Sequence, residues 1–362
     1  MHPSTCVHAG HGTGHALLRG MLNRPSDVLE AVCADCGGVQ QGMGSCGTCG
    51  SARTVSINVV SGIFGEDWRS SYFAPAERPR VLSLGGGVDS FAMLVRALER
   101  GEAPDVVAFV DVGAPGDPGE WPSTYRHVDE VVRPLCERQG IEFVRIDGER
   151  YPVRDARSLF AWMWERGQIP VAGPTRICTR IAKVERFECW LDDRYPGQEV
   201  EVWIGFEAGE EGRADNDPNA GKPRKVSAAQ ATRVNRFPLI EWGLCRCRCV
   251  ELVHRAGYPV PRKSACVYCP YGSRRDWRAL AEQLPETFER IVELEQRKPP
   301  TTRGKKLSIM LYDSRKQRGT PLPVYVASPG RPRPPAPCKV CGAAERATKA
   351  TGCDYLHEAG AV

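Results

Sequence analysis

The sequence predicts an α/β protein built on a doubly wound, mostly parallel sheet, with a small metal-stapled module on either side. Three observations carry that expectation. Apolar strands alternate with helical periodicity from residue 80 onward. A triple glycine follows the first of those strands, and CxxC pairs flank the alternating region on both sides. The expected organisation is a zinc-ribbon-like segment over 1–79, an α/β domain over 80–300, and a basic proline-rich linker with a C-terminal zinc knuckle over 301–362.

The first strand is predicted at Val81, Leu82 and Leu84, before Gly85, Gly86 and Gly87. Glycines lack the Cβ atoms that would stop a loop closing around phosphate. From Val88 the apolar residues Phe91, Met93, Leu94, Val95 and Leu98 recur at helical spacing. The loop therefore ends at a helix N-terminus, where free N–H groups and the helix dipole favour an anion, and Ser90 can add its hydroxyl. The plain alternative is a tight turn packing a helix onto a strand. Further strands are predicted over 105–112 and 141–146, a helix over 127–139 between them, and another strand in EVEVWIGF. After CPYGSRRDW one helix is expected to run through Leu280 and Leu284 to Ile291 and Leu294, with Trp277 packed on the cysteine turn. Cys136 and Cys189 fall in helical stretches and read as small buried hydrophobes.

The formal charge of +5, from 49 basic and 44 acidic residues, permits a nucleic-acid partner without requiring one. No stretch approaches the roughly 18 apolar residues of a membrane span, and the N-terminus has no basic start followed by an apolar run. A cytoplasmic protein without a membrane partner is the expectation, and the sixteen cysteines then point to metal before disulfides. Cys33, Cys36, Cys46 and Cys49 form two CxxC knuckles suited to tetrahedral zinc. Cys338, Cys341, Cys353 and His357 suggest a second zinc site in a tail otherwise too small to fold. Cys266 and Cys269, followed at once by proline, have an iron–sulfur setting.

The block GGGVDS resembles the SGGxDS pyrophosphate loop of the PP-loop ATP pyrophosphatases, with Gly85 in place of the first serine. The resemblance implies an adenine nucleotide alpha hydrolase-like fold that binds ATP and Mg2+. Ser83, Gly85, Gly86, Gly87, Asp89, Ser90 and Asp111 would form the nucleotide site, with Asp89 also catalytic. FVDVG resembles the segment after the second strand of phosphoadenosine phosphosulfate reductases, and Asp111 reads equally as a strand-end turn residue. RICTRIAKVERFECWL resembles the CCxxRKVEPL segment of adenylyl-sulfate reductases, with Thr179 at the second cysteine. The family pattern implies a [4Fe–4S] cluster on Cys178, Cys266, Cys269 and a fourth ligand among Cys245, Cys247 and Cys249. Cys249 is preferred, because sequences resembling this one carry a cysteine at the start of that helix; zinc at the same ligands is the other reading.

IGFEAGEEGR and FPLIEWG are similar to segments of reductase-like proteins, which places Glu210 and Arg213 on a polar rim of the active site or in a solvated loop. Lys183 is either a surface lysine or a cation beside the phosphate or the cluster. With no ECGLH-like tail carrying a nucleophilic cysteine, the resemblance implies ATP-driven adenylation of an acceptor followed by sulfur transfer, with nucleic acid as acceptor and a sulfur-donor or reductant protein as partner. Two other readings are a sulfonucleotide reductase using Cys245 or Cys247, and a non-catalytic, metal-stapled nucleic-acid binder.

Overall fold

The computed structural model describes residues 31–33, 39–40, 54–56, 78–168, 176–221, 230–297, 320–329 and 336–343. The chain divides into two units, Met1–Glu77 and Arg78–Val362. In the first, β1 (Ala31–Cys33) pairs antiparallel with both β2 (Val39–Gln40) and β3 (Thr54–Ser56). Cys33 ends β1, whereas Cys36, Cys46 and Cys49 lie outside the described residues.

The second unit is organised around β4 (Arg80–Leu84), β5 (Val106–Val110), β6 (Glu142–Ile146), β7 (Glu199–Ile204) and β8 (Thr232–Arg236). Their order is β6-β5-β4-β7-β8, and every pairing is parallel. The chain steps outward from β4 to β6, then returns to the other side of β4 as β7. That reversal opens a crevice at the carboxyl ends of β4 and β7, where ligands of such sheets bind.

Side chains alternate across the strands and sort into two cores. Leu82, Leu84, Val107, Phe109 and Trp203 pack with α1 (Val88–Glu99), with Val128, Val132, Leu135 and Cys136, and with Cys249, Leu252 and Val253 of α9 (Arg246–Arg255). Val81, Val106, Ala108, Val110, Val200 and Val202 pack on the opposite face against Phe187, Trp190 and Leu191 of α6 (Glu185–Arg194). Helices on both faces explain why β5 is buried at every position.

The helix expected over 127–139 starts earlier, because Pro122 occupies its first turn. It runs as α2 (Pro122–His127) through a π-turn (Val128–Val132) into α3 (Arg133–Arg138). The crossover after β6 holds α4 (Leu159–Arg166), capped by the Ser158 hydroxyl accepting from Ala161 N–H at 2.8 Å. Then α5 (Ile177–Thr179) passes through a second π-turn (Arg180–Val184) into α6. Short helices α7 (Glu211–Ala214) and α8 (Pro238–Glu241) flank β8.

The single helix expected after residue 273 is two. α10 (Arg274–Gln283), opened by a Ser273–Asp276 capping box, stops before α11 (Pro285–Arg297). Pro285 has no N–H and excludes its predecessor from helical geometry, so Leu284 turns out to φ −136°, ψ 61°. Trp277, Leu280, Ile291 and Leu294 join Phe160, Met163, Ile181, Val267 and Tyr268 in a third core. Arg274 and Arg278 grip the C-terminal end of α12 (Leu322–Ala327), donating to carbonyls of Tyr325, Val326 and Ser328 at 2.6–3.0 Å.

His127 lies buried against Phe91, ring centroids 4.7 Å apart, and its Nε2 has no hydrogen-bond partner among the described residues. Burial pushes its pKa from 6.5 down to about 4. The unfolded chain therefore binds the extra proton between those values. Stability is complete above pH 6.5 and falls by about 3 kcal/mol as the pH drops to 4. Urea titrations across that window should show the slope in wild type and a flatter profile in His127→Phe.

Candidate functional site

The glycine loop joins β4 to α1 at the crevice. Gly86 has φ +72°, and a Cβ there would meet Thr124 Cγ2 of α2 at 2.7 Å. On Gly87 a Cβ would lie 3.0 Å from Ser264 Oγ and 3.1 Å from its backbone N. The loop is thus pressed between α2 and the segment that carries Cys266 and Cys269. Ser90 fastens it from within, accepting from Gly85 N–H at 3.1 Å and donating to the Gly87 carbonyl at 3.2 Å. Gly205, just past β7, passes so close that a Cβ would be 3.2 Å from Ser90 Cα. The N-cap of α1, Gly87, supplies no side-chain hydrogen bond, which leaves the first-turn amides without a side-chain cap at the crevice.

Asp89 enters the crevice from the first turn of α1 and forms an ion pair with Arg246. The backbone N–H of Arg246 donates to the buried Glu207 carboxylate. Cys249, one turn along α9, faces the same side: burial first, then the Asp89 charge, raise its thiol pKa well above the ordinary value. Ser83 shares the strand face of Val81, opposite the face that meets α1.

A second group of polar side chains adjoins the loop through the Ser264 segment. Glu120, fully buried at its side chain, accepts from Lys183 Nζ at 2.8 Å, and Cys266 Sγ lies 3.9 Å from the same oxygen. Burial opposes the Lys183 charge, yet the Glu120 carboxylate outweighs it and holds the lysine pKa above its usual value. Cys178, on α5, interacts electrostatically with both Cys266 and Cys269, so the three thiols share one region. Burial, then Glu120, push the Cys266 thiol well up, and burial pushes Cys269 up. The Cys266 segment is tied to Glu120 by an isolated β-bridge and by Val267 N–H donating to Gly119 O at 2.9 Å. Trp277 packs under the turn, its Nε1 3.2 Å from where a Gly272 Cβ would be.

A third group gathers four thiols. The sulfurs of Cys245, Cys247, Cys338 and Cys341 all lie within 4.8 Å of one another and could hold a metal ion. The sequence pairs Cys338 and Cys341 with Cys353 and His357, which lie outside the described residues; among the described residues, Cys338 and Cys341 meet the CxC at the start of α9. Cys249, the expected fourth cluster ligand, belongs to the core around α1, while Cys178 and Cys266 pack on the core containing Trp277.

The remaining expected residues have partners within the chain. Asp111 accepts from Gly113 N–H at 2.9 Å and Tyr125 OH at 2.6 Å through one oxygen, and from Arg145 at 2.8 Å through the other. Its carbonyl accepts from the buried Arg186 at 2.6 Å. It lines a cavity of about 440 Å³ with Gly113, Arg145 and Asp147 at the ends of β5 and β6. Glu210 and Arg213 pair with each other at 2.8 Å, and Arg213 stacks 4.0 Å over the Phe206 ring. Ser264, Arg246, Glu207 and Glu120 have no motif to announce them; each reaches the site through the tertiary fold.

No family model and no curated protein sequence matches the chain. Among solved structures it is similar to the crystal structure of phosphoadenylyl-sulfate (PAPS) reductase from Candida auris in a phosphate complex. The identity is 10%, the TM-score 0.32, and the alignment covers 57% of this chain and 86% of that one. A likeness of that size says nothing about chemistry. The five-stranded parallel sheet with helices on both faces is itself consistent with an adenine nucleotide alpha hydrolase-like fold.

Proposed function

We propose that the chain is an ATP-dependent enzyme of the PP-loop type that adenylates an acceptor and exchanges the adenylated oxygen for sulfur, with nucleic acid as the acceptor class. One observation carries this reading: the segment bearing Cys266 and Cys269 lies on the glycine loop, with Ser264 against Gly87. Phosphate-type and thiol-type chemistry thereby meet within a few residues of one another.

ATP would lay its polyphosphate on the amides of Gly86, Gly87 and the first turn of α1, with the Ser264 hydroxyl in the place of the serine that Gly85 replaces. Mg2+ would accompany those phosphates, and Asp89, held by Arg246, is the carboxylate of this crevice nearest the loop in sequence. An acceptor oxygen attacks the α-phosphorus, the bond to the β-phosphate oxygen breaks, and pyrophosphate leaves. A sulfur nucleophile then attacks the carbon bearing that oxygen, and AMP departs with the C–O bonding electrons. Lys183 would offer a cation beside the thiols, while Glu210 and Arg213 would form an outer rim.

Cys178, Cys266 and Cys269, drawn to one region from two segments beside the buried Glu120 and its partner Lys183, are the three thiols that would hold an iron–sulfur cluster. Such a cluster, when bound, would supply an open iron able to carry a sulfide equivalent. The gathering of Cys245 and Cys247 with Cys338 and Cys341 favours sulfur transfer over a sulfonucleotide reductase, because it occupies the two thiols that the reductase reading needs as nucleophiles.

Anaerobically purified protein should release pyrophosphate and AMP from ATP in step with sulfur incorporation into tRNA or DNA, and Cys266→Ala should lose iron and incorporation together. Sulfite release from adenylyl sulfate with thioredoxin, without any ATP requirement, would overturn the proposal in favour of the reductase. Salt-dependent nucleic-acid binding, with no pyrophosphate released from ATP in the presence of any acceptor, would leave only a binding protein.

A further inference from the structure

We infer that Cys245, Cys247, Cys338 and Cys341 form a closed, structural zinc site that fastens segment 336–343 to the N-terminus of α9. The four sulfurs converge within 4.8 Å of one another from two chain segments. A tetrahedral zinc with bonds of about 2.3 Å places its thiolates about 3.8 Å apart, inside that limit. All four ligands are protein sulfurs, so no coordination position remains for water or substrate, which is the mark of a structural centre.

Cys245 is the N-cap of α9 and Cys247 lies in its first turn, where the helix dipole favours negative charge. On the other side the chain folds into a knuckle. Gly342, at φ +73°, donates its N–H to the Cys338 carbonyl at 3.0 Å, and Cys338 N–H donates to Ala343 O at 2.9 Å. The N–H groups of Val340 and Cys341 are directed at the Cys338 sulfur. Val340 seats the knuckle on the 205–210 loop, its Cγ2 3.2 Å from where a Gly209 Cβ would stand. That loop is joined to the CxC end by Ala208 N–H donating to Leu244 O at 2.9 Å. Cys245 and Cys338 are buried, whereas Cys247 and Cys341 are partly exposed.

The proposal does not rest on the nucleotide reading, because zinc is counted without ATP. The full chain should lose one zinc per molecule in Cys247→Ser and in Cys341→Ser, measured by mass spectrometry of the metals, while Cys353→Ser and His357→Ala keep the wild-type content. In the wild-type protein, alkylation of the partly exposed Cys247 and Cys341 should be slow and become fast for both together on adding a zinc chelator. This second measurement needs no variant to fold. Full zinc in Cys247→Ser, loss of an equivalent in Cys353→Ser or His357→Ala, iron in place of zinc, or rapid alkylation before chelation would each overturn the assignment.

Discussion

Asp89→Asn is expected to cost both stability and turnover. Asp89 and Arg246 retain only 16% and 14% side-chain exposure, so removing the carboxylate strands a largely buried guanidinium. Breaking one partner of such a pair costs about 3–5 kcal/mol, and urea melts should read that loss as a lowered midpoint. Pyrophosphate release should disappear as well, if Asp89 serves the phosphate site. The double variant Asp89→Asn/Arg246→Gln separates the effects: stability should recover in part, because no charge is left alone, while turnover stays lost. Wild-type stability in Asp89→Asn would mean that the ion pair contributes nothing. Sequence alone suggests a substitution harmless to the fold, since nothing in GGGVDS reveals an arginine 157 residues later.

Lys183→Met should have an effect of similar size through the opposite charge. It leaves the Glu120 carboxylate without its cation; the glutamate side chain is 0% exposed, and its Oε2 has no partner among the described residues. A loss of about 3–5 kcal/mol at neutral pH is expected. Glu120 in this variant should take up a proton more readily in the folded than in the unfolded state, because burial disfavours the anion. Stability relative to wild type should therefore improve as the pH falls, and Glu120→Gln/Lys183→Met should be nearly insensitive to pH in that range. A Lys183→Met variant as stable as wild type across pH would show that solvent already compensates Glu120.

Much of this was legible in the sequence where the signal is local. Short apolar runs marked β4, β5 and β6 to within a residue or two, and the glycines before Val88 marked the strand-to-helix loop. Parallel pairing followed from strand–helix alternation. Pro285 was visible, yet the apolar spacing that continues across it from Leu280 to Ile291 concealed the break between α10 and α11.

What stayed hidden depends on which distant segments meet. Ser264 lies 177 positions after the glycine whose Cβ it would crowd. Cysteine spacing was legible and cysteine partnership was not: CKVC is as compatible with a later Cys and His as with an earlier CxC, and its meeting with Cys245 and Cys247 depends on the tertiary fold. Asp111 reads from the sequence equally as a ligand contact and as a strand-end turn residue; its partners Tyr125 and Arg145, which the sequence does not announce, come from the fold.

The gathering of Cys245 and Cys247 with Cys338 and Cys341 closes a ring of about 90 residues, within which lie Cys266, Cys269 and helices α10, α11 and α12. For a covalent cross-link, rings of this length remove on the order of 4–5 kcal/mol of freedom from the unfolded chain, and an ion held by four thiolates acts in the same sense. During synthesis the CxC leaves the ribosome long before its partners, so the ring shuts only after everything it encloses has been made. Once shut, a single backbone cut between Cys247 and Cys338 leaves two fragments that still travel as one particle.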